Sequence, residues 1–145
     1  MIRLLVFFVT MMLFTATNVF AQNSDAVVGE WYTAEGTSIM EIYKCDDLYC
    51  GKIVWLKKPK NEEGKDKVDT KNPDETKRNR KLMGLEILWG FKYKGENQWE
   101  GGKIYDPKNG KTYSCKIKLE GNELKVRGFV GFSLFGRTTI WTKKT

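Results

Sequence analysis

The sequence predicts an all-β fold, an eight-stranded antiparallel up-and-down barrel with one short helix in its long 57–81 connection. Three observations predict it. Runs of alternating apolar and polar residues recur with turn residues between them at short spacing. Every link except residues 57–81 is short enough to join antiparallel neighbours. A meander of eight strands with one apolar face each can close on itself, which removes the sheet edges. A two-sheet sandwich is the competing architecture.

The chain opens on Met1-Ile2-Arg3, with one positive charge, followed by the apolar run Leu4 to Leu13. Val19 and Ala21 then occupy the small-residue positions of a cleavage site. This pattern predicts a signal peptide over residues 1–21, cut between Ala21 and Gln22, and an exported protein, periplasmic or secreted. The apolar run is about ten residues, too short to span a bilayer. No Cys follows the cut, which argues against a lipid anchor, and no later segment is long enough to be transmembrane. Residues 22–145 then form a single β-barrel domain, large enough to bury roughly two-thirds of its surface on folding. Without Arg3 the chain has 24 Lys and Arg against 18 Asp and Glu, a net charge of +6. Residues 57–81 hold ten of those cations and six of the acids, so +4 resides in that connection and +2 elsewhere.

The first strand reads over Val27–Ala34 and ends at "EG"; the second covers Thr37–Cys45 and the third Tyr49–Leu56. The pattern then breaks into the charged segment 57–81. Within it, "NPDETKRNRK" has helix chemistry: Asn72 as cap, Pro73 at the first helical position, Glu75 three after the cap, and cations near the end. A short helix over about 73–80 is expected. Strands resume at Leu85, where Leu85, Ile87, Trp89, Phe91 and Tyr93 alternate on one face. "GEN" leads into Gln98–Asp106, "DPKNG" into Lys111–Leu119, and "EGNE" into Leu124–Gly131. The last strand spans Arg137–Thr142. Gly128, Gly131 and Gly136 interrupt the segment before it and suggest a bend at a barrel corner.

Cys45 and Cys50 flank "DDLY". In an exported chain such a pair forms a disulfide, here stapling the mouth of a hairpin with the two residues directly opposed. Closing so short a loop contributes only ~2 kcal/mol. Redox and metal roles are the alternatives, but a zinc site needs two more ligands, and the chain has no His and only Cys115 besides. The absence of His also removes Ser-His and Cys-His nucleophile pairs. There is no phosphate-cradling glycine loop, and no cofactor or metal is expected. Cys115 lies on an apolar strand face and reads as a core residue.

Ile42 and Met40, then Ile53 and Trp55, read as inward positions, joined by Trp89, Phe91 and Tyr113. Ile42, Trp55, Trp89, Phe91 and Tyr113 are therefore the candidate ligand-binding residues. A barrel this size holds either a packed core or one small ligand, and composition does not choose between them. Asn72, Arg78, Arg80, Asp106 and Arg127 are candidate loop or rim residues. "KRNRK" at Lys77–Lys81 reads as a solvated face or as a surface for anionic headgroups; export argues against nucleic acid. Asp69, Arg80, Asp106 and Arg127 could together form a carboxylate–guanidinium site, although nothing in their spacing requires it.

"GEW" at Gly29–Trp31 is the Gly-x-Trp mark of lipocalin-like barrels, in which the Trp closes one end. With "CDDLYCGKIVWL", "NPDETKRNRKLMGLEIL", "WEGGKIYDPKNGKTYSCKI" and "LKVRGFVGFSLFGRTTIW", the chain resembles the bacterial envelope family called domain of unknown function 2147. That family usually has Asn-Pro-Asp-Pro and then Arg-Pro before its Leu; here those prolines are Glu75 and Lys81. The resemblance implies an exported lipocalin-like barrel and no assigned activity. Two functions are then in play. One is a small-ligand-binding barrel for an acyl chain or other apolar molecule of the cell envelope. The other is a solid barrel whose basic loop binds an acidic envelope partner or surface.

Overall fold

A computed structural model describes residues 23–145; the expected signal peptide lies outside the described residues. Eight strands form one closed antiparallel barrel in sequence order: β1 (Gly29–Tyr32), β2 (Ser38–Cys45), β3 (Leu48–Leu56), β4 (Glu86–Gly95), β5 (Gln98–Asp106), β6 (Lys111–Glu120), β7 (Glu123–Phe129) and β8 (Arg137–Lys143). β8 closes on β1 through Trp31 opposite Lys143 and Tyr32 opposite Thr142. Trp31, Met40, Leu88, Phe91, Trp99, Cys115 and Leu124 fill the interior, each at most 1% exposed. The barrel arises because each strand has one apolar face, and closure buries all eight faces without leaving an edge.

One end of the barrel is plugged. The 3-10 turn Ser24–Val27 precedes β1, so the first strand starts at Gly29 and not at Val27. Asn23 caps this turn by accepting the Asp25 N–H. Two indoles then hold its carbonyls: Trp31 Nε1 donates to Val27 O at 2.9 Å and Trp99 Nε1 to Ser24 O at 3.0 Å. Tyr49 donates its hydroxyl to Asp25 at 2.5 Å. A buried indole N–H needs an acceptor, and the turn supplies two.

Four further sequence expectations change. The helix over 73–80 is absent; one 3-10 turn, Glu75–Lys77, stands in its place with Asp74 as its cap. Residues 73–81 contain no large apolar side chain, so a helix there would have no face to bury. Asn72 also uses its side-chain oxygen locally, accepting the Asp74 N–H. Second, Trp55 leaves the interior and is 40% exposed. Met40 pairs with Ile53 but Ile39 with Trp55, so Val54 is an extra residue that reverses the alternation. Third, Trp89 stands opposite Lys103, on the outer face. Gly90 of β4 and Gly101 of β5, with φ of +77° and +76°, both lie between the Trp89–Lys103 and Lys92–Glu100 pairs, and together they flip the side-chain alternation of the two strands without a shift in register. Fourth, Cys45 and Cys50 are bonded, with Cα atoms 5.9 Å apart, but they are diagonal neighbours. Cys45 pairs with Leu48 and Cys50 with Tyr43, because the hairpin turn is only Asp46-Asp47 and the ladder runs on through Leu48.

Candidate functional site

Four connections gather at the end opposite the plug: 33–37, 57–85, 107–110 and 130–136. The long connection 57–85 is tied down by one buried carboxylate. Asp69 has no exposed surface. It accepts from Tyr105 Oη at 2.6 Å, Asn72 Nδ2 at 2.8 Å and Arg80 Nη2 at 3.0 Å. Burial alone would raise its pKa; the three hydrogen bonds and the Arg80 charge outweigh that and hold it below the usual carboxylate range. Tyr105 is pushed up to about 12, first by burial and then by its bond to Asp69. Arg78 completes the knot by donating to Asn72 O at 2.8 Å.

The basic run is neutralised from within. Lys77 pairs with Asp74 at 3.7 Å, Arg78 with Glu75 at 3.5 Å, Arg80 with Asp69 at 3.0 Å and Lys81 with Asp66 at 3.0 Å. Asp66 is lowered to about 2 by hydrogen bonds from Lys60 and Lys81 and by their charges. The segment that carries most of the positive charge therefore offers few unopposed cations in Lys77–Lys81.

The connection 130–136 is built differently. Arg127, on the outer face of β7, donates Nε to Ser133 O at 2.7 Å, Nη2 to Leu134 O at 3.3 Å and Nη1 to Thr138 Oγ1 at 2.9 Å. Phe135 N–H closes the 3-10 turn onto Phe132 O at 3.1 Å. Gly131, Phe132 and Ser133 of this connection line one side of a groove of about 380 Å³ on the outer wall. Gly101, Gly102, Ser114 and Cys115 form its floor, Phe129 and Phe132 its apolar side, and Lys103, Lys116 and Glu100 its charged side. Lys103 donates to Ser114 Oγ at 3.0 Å, and among the described residues neither Lys103 nor Lys116 has an acid within 4.0 Å.

A family model described as an uncharacterized protein conserved in bacteria, DUF2147, matches residues 29–143. The chain belongs to the DUF2147 family. A solved structure, protein HP1028 from the human pathogen Helicobacter pylori, described as belonging to the lipocalin family, superposes with a TM-score of 0.71. The match covers 81% of this chain and 82% of that one at 23% identity, and it establishes the lipocalin-like fold. Comparison with curated proteins returned no match.

Within this DUF2147 barrel the expected site residues separate into groups. Ile42 and Phe91 are enclosed by the core. Tyr113 is half-buried, and its hydroxyl accepts from Asn109 Nδ2 at 2.9 Å. Trp55 and Trp89 lie on the outer face, Trp89 beside the groove residue Lys103. Asn72 and Arg80 bind Asp69 and Arg78 holds the Asn72 carbonyl, whereas Asp106 shapes the 107–110 turn by accepting the Lys108 N–H. Arg127 is engaged by its own connection, so Asp69, Arg80, Asp106 and Arg127 do not share one cluster of contacts. Sequence reasoning missed the groove cations and the apolar tip. The signal for the tip was present: "FVGFSLFG" packs large apolar residues between glycines with neither a strand nor a helix period.

Proposed function

We propose that this is an exported lipocalin-like binding module for a small amphipathic molecule, an apolar chain with an anionic head, held in the groove beside residues 131–133. The observation that carries the reading is the groove's composition: two phenylalanines on one side and two cations without acid partners on the other. A few placed polar groups on an apolar wall are what orient such a ligand. The interior offers less, since the barrel axis is filled by side chains at most 1% exposed. The Cys45–Cys50 disulfide supports an oxidising compartment, in keeping with a signal peptide over residues 1–21 and a barrel domain over 22–145.

Native mass spectrometry of the exported protein, purified without detergent, tests this first; bound mass that is lost on denaturation is expected. Titration with a fluorescent fatty acid then locates the site. Lys103→Glu with Lys116→Glu should weaken binding at least about tenfold, two charge reversals of roughly 1 kcal/mol each. Unchanged affinity in that double variant would remove the groove from consideration, and a preparation that neither carries nor binds an amphiphile would remove the function.

A further inference from the structure

We infer that residues 130–136 form a rigid apolar tip that docks the protein on an anionic phospholipid bilayer. Val130, Phe132, Leu134 and Phe135 are 71%, 76%, 80% and 77% exposed. Four large apolar side chains in so short a segment stand far above the scattered exposure of an ordinary surface. They are held out, not left loose: Arg127 clamps the carbonyls of Ser133 and Leu134, and the 3-10 turn closes on itself. Holding a tip in its inserted conformation removes the ordering cost that a flexible loop would meet on binding.

Charge selects the partner. Lys103 and Lys116 line the same groove as Phe132, Arg137 follows the tip and is exposed, and Glu100 is the single acid in the groove. The sign around the tip is therefore positive, as is the net charge of residues 22–145. Apolar side chains beside unopposed cations match an interface whose headgroups are anionic and whose interior is hydrocarbon. A protein partner fits less well. A stable interface takes about 20–30 residues a side, and a seven-residue tip supplies a fraction of that. A bilayer, in contrast, accepts a small convex apolar tip without a matching cavity.

Val130, Leu134 and Phe135 are not groove residues, so this inference can fail separately from the amphiphile reading. The test is sedimentation of the full mature protein with vesicles of phosphatidylglycerol and phosphatidylcholine, against pure phosphatidylcholine. The wild type should partition at least about tenfold better to the anionic vesicles, and the preference should fall with added salt. Leu134→Ser with Phe135→Ser should reduce partitioning at least about tenfold while fatty-acid titration stays unchanged. As a second readout, Phe135→Trp should add a blue-shifted emission in anionic vesicles that brominated lipids quench. Wild-type protein that stays in the supernatant with both vesicles would overturn the inference, even if it self-associates or captures a protein through the tip. So would a double serine variant that sediments like the wild type, or a Phe135→Trp variant whose emission is unchanged by anionic vesicles.

Discussion

Tyr105 donates its hydroxyl to the buried carboxylate of Asp69 at 2.6 Å, joining residues 36 apart in sequence. Ile104 pairs with Tyr113 on the inner face, so Tyr105 points outward from β5. It is nevertheless buried, because the 57–85 connection lies over it. One hydrogen-bonded carboxylate thus converts a long charged segment into a fixed part of the wall. Asp69→Asn keeps the shape but removes the charge that Arg80 and Tyr105 serve. It should cost about 2–3 kcal/mol, since hydrogen bonds to charged groups are the stronger ones. Denaturant titration reads this as a lower midpoint with little change in slope.

The same pair predicts how stability depends on pH. Asp69 has a folded pKa below its unfolded one, so its contribution is complete above the usual carboxylate range and lost as pH falls through and below it. Tyr105 is raised from 10.0 to about 12, so the folded state holds its proton more tightly. That contribution is complete below pH 10 and lost as pH rises toward 12. Thermal midpoints of wild type minus Asp69→Asn should converge in acid. Wild type minus Tyr105→Phe should converge at the alkaline end. Differences constant with pH would mean that neither group is coupled to folding.

Gly102 explains why part of this barrel was legible from residues and part was not. Eight strands and their order follow from alternation and turns, because a half-buried strand must repeat every two residues, whereas the closing role of Trp31 rests on the Gly-x-Trp resemblance. The inward assignments of Trp55 and Trp89 do not hold, because the bulge at Val54 inverts the side chains beyond it and the positive-φ glycines Gly90 and Gly101 invert those of β4 and β5. Gly102 also accepts the Phe91 ring against its backbone; a Cβ there would fall inside contact distance of three ring atoms. Gly102→Ala should therefore destabilise by about 1–3 kcal/mol, the usual cost of overpacking a core. Phe91→Leu in the same chain should recover part of it, and a double-mutant cycle measures the coupling.

The plug makes a sharper demand. Trp31→Phe keeps an aromatic side chain but removes the indole N–H, leaving Val27 O without its donor, and Trp31 is only 1% exposed. A cost of about 1–3 kcal/mol is expected for the orphaned buried carbonyl and lost ring volume. Hydrogen exchange should report the change first at Val28, whose N–H bonds to Asp25 O at 2.9 Å within the turn. If exchange rises instead at the 57–85 connection and not at the turn, the closure assigned to Trp31 is wrong.

Cys115 provides a test of chemistry and of the disulfide together. Its thiol is buried in the barrel, and burial pushes its pKa up to about 12. Because the thiolate is the reactive form and none is accessible, the native protein should not react with a thiol reagent at neutral pH. In denaturant without reductant, one thiol per chain should appear; after reduction, three should, since Cys45 and Cys50 are then freed. Three thiols before reduction would mean an unpaired hairpin, while rapid reaction of the native protein would place Cys115 within reach of solvent. That second outcome would also bear on the groove, whose floor Cys115 shares with Ser114. An amphiphile seated there should then slow the reaction in proportion to occupancy.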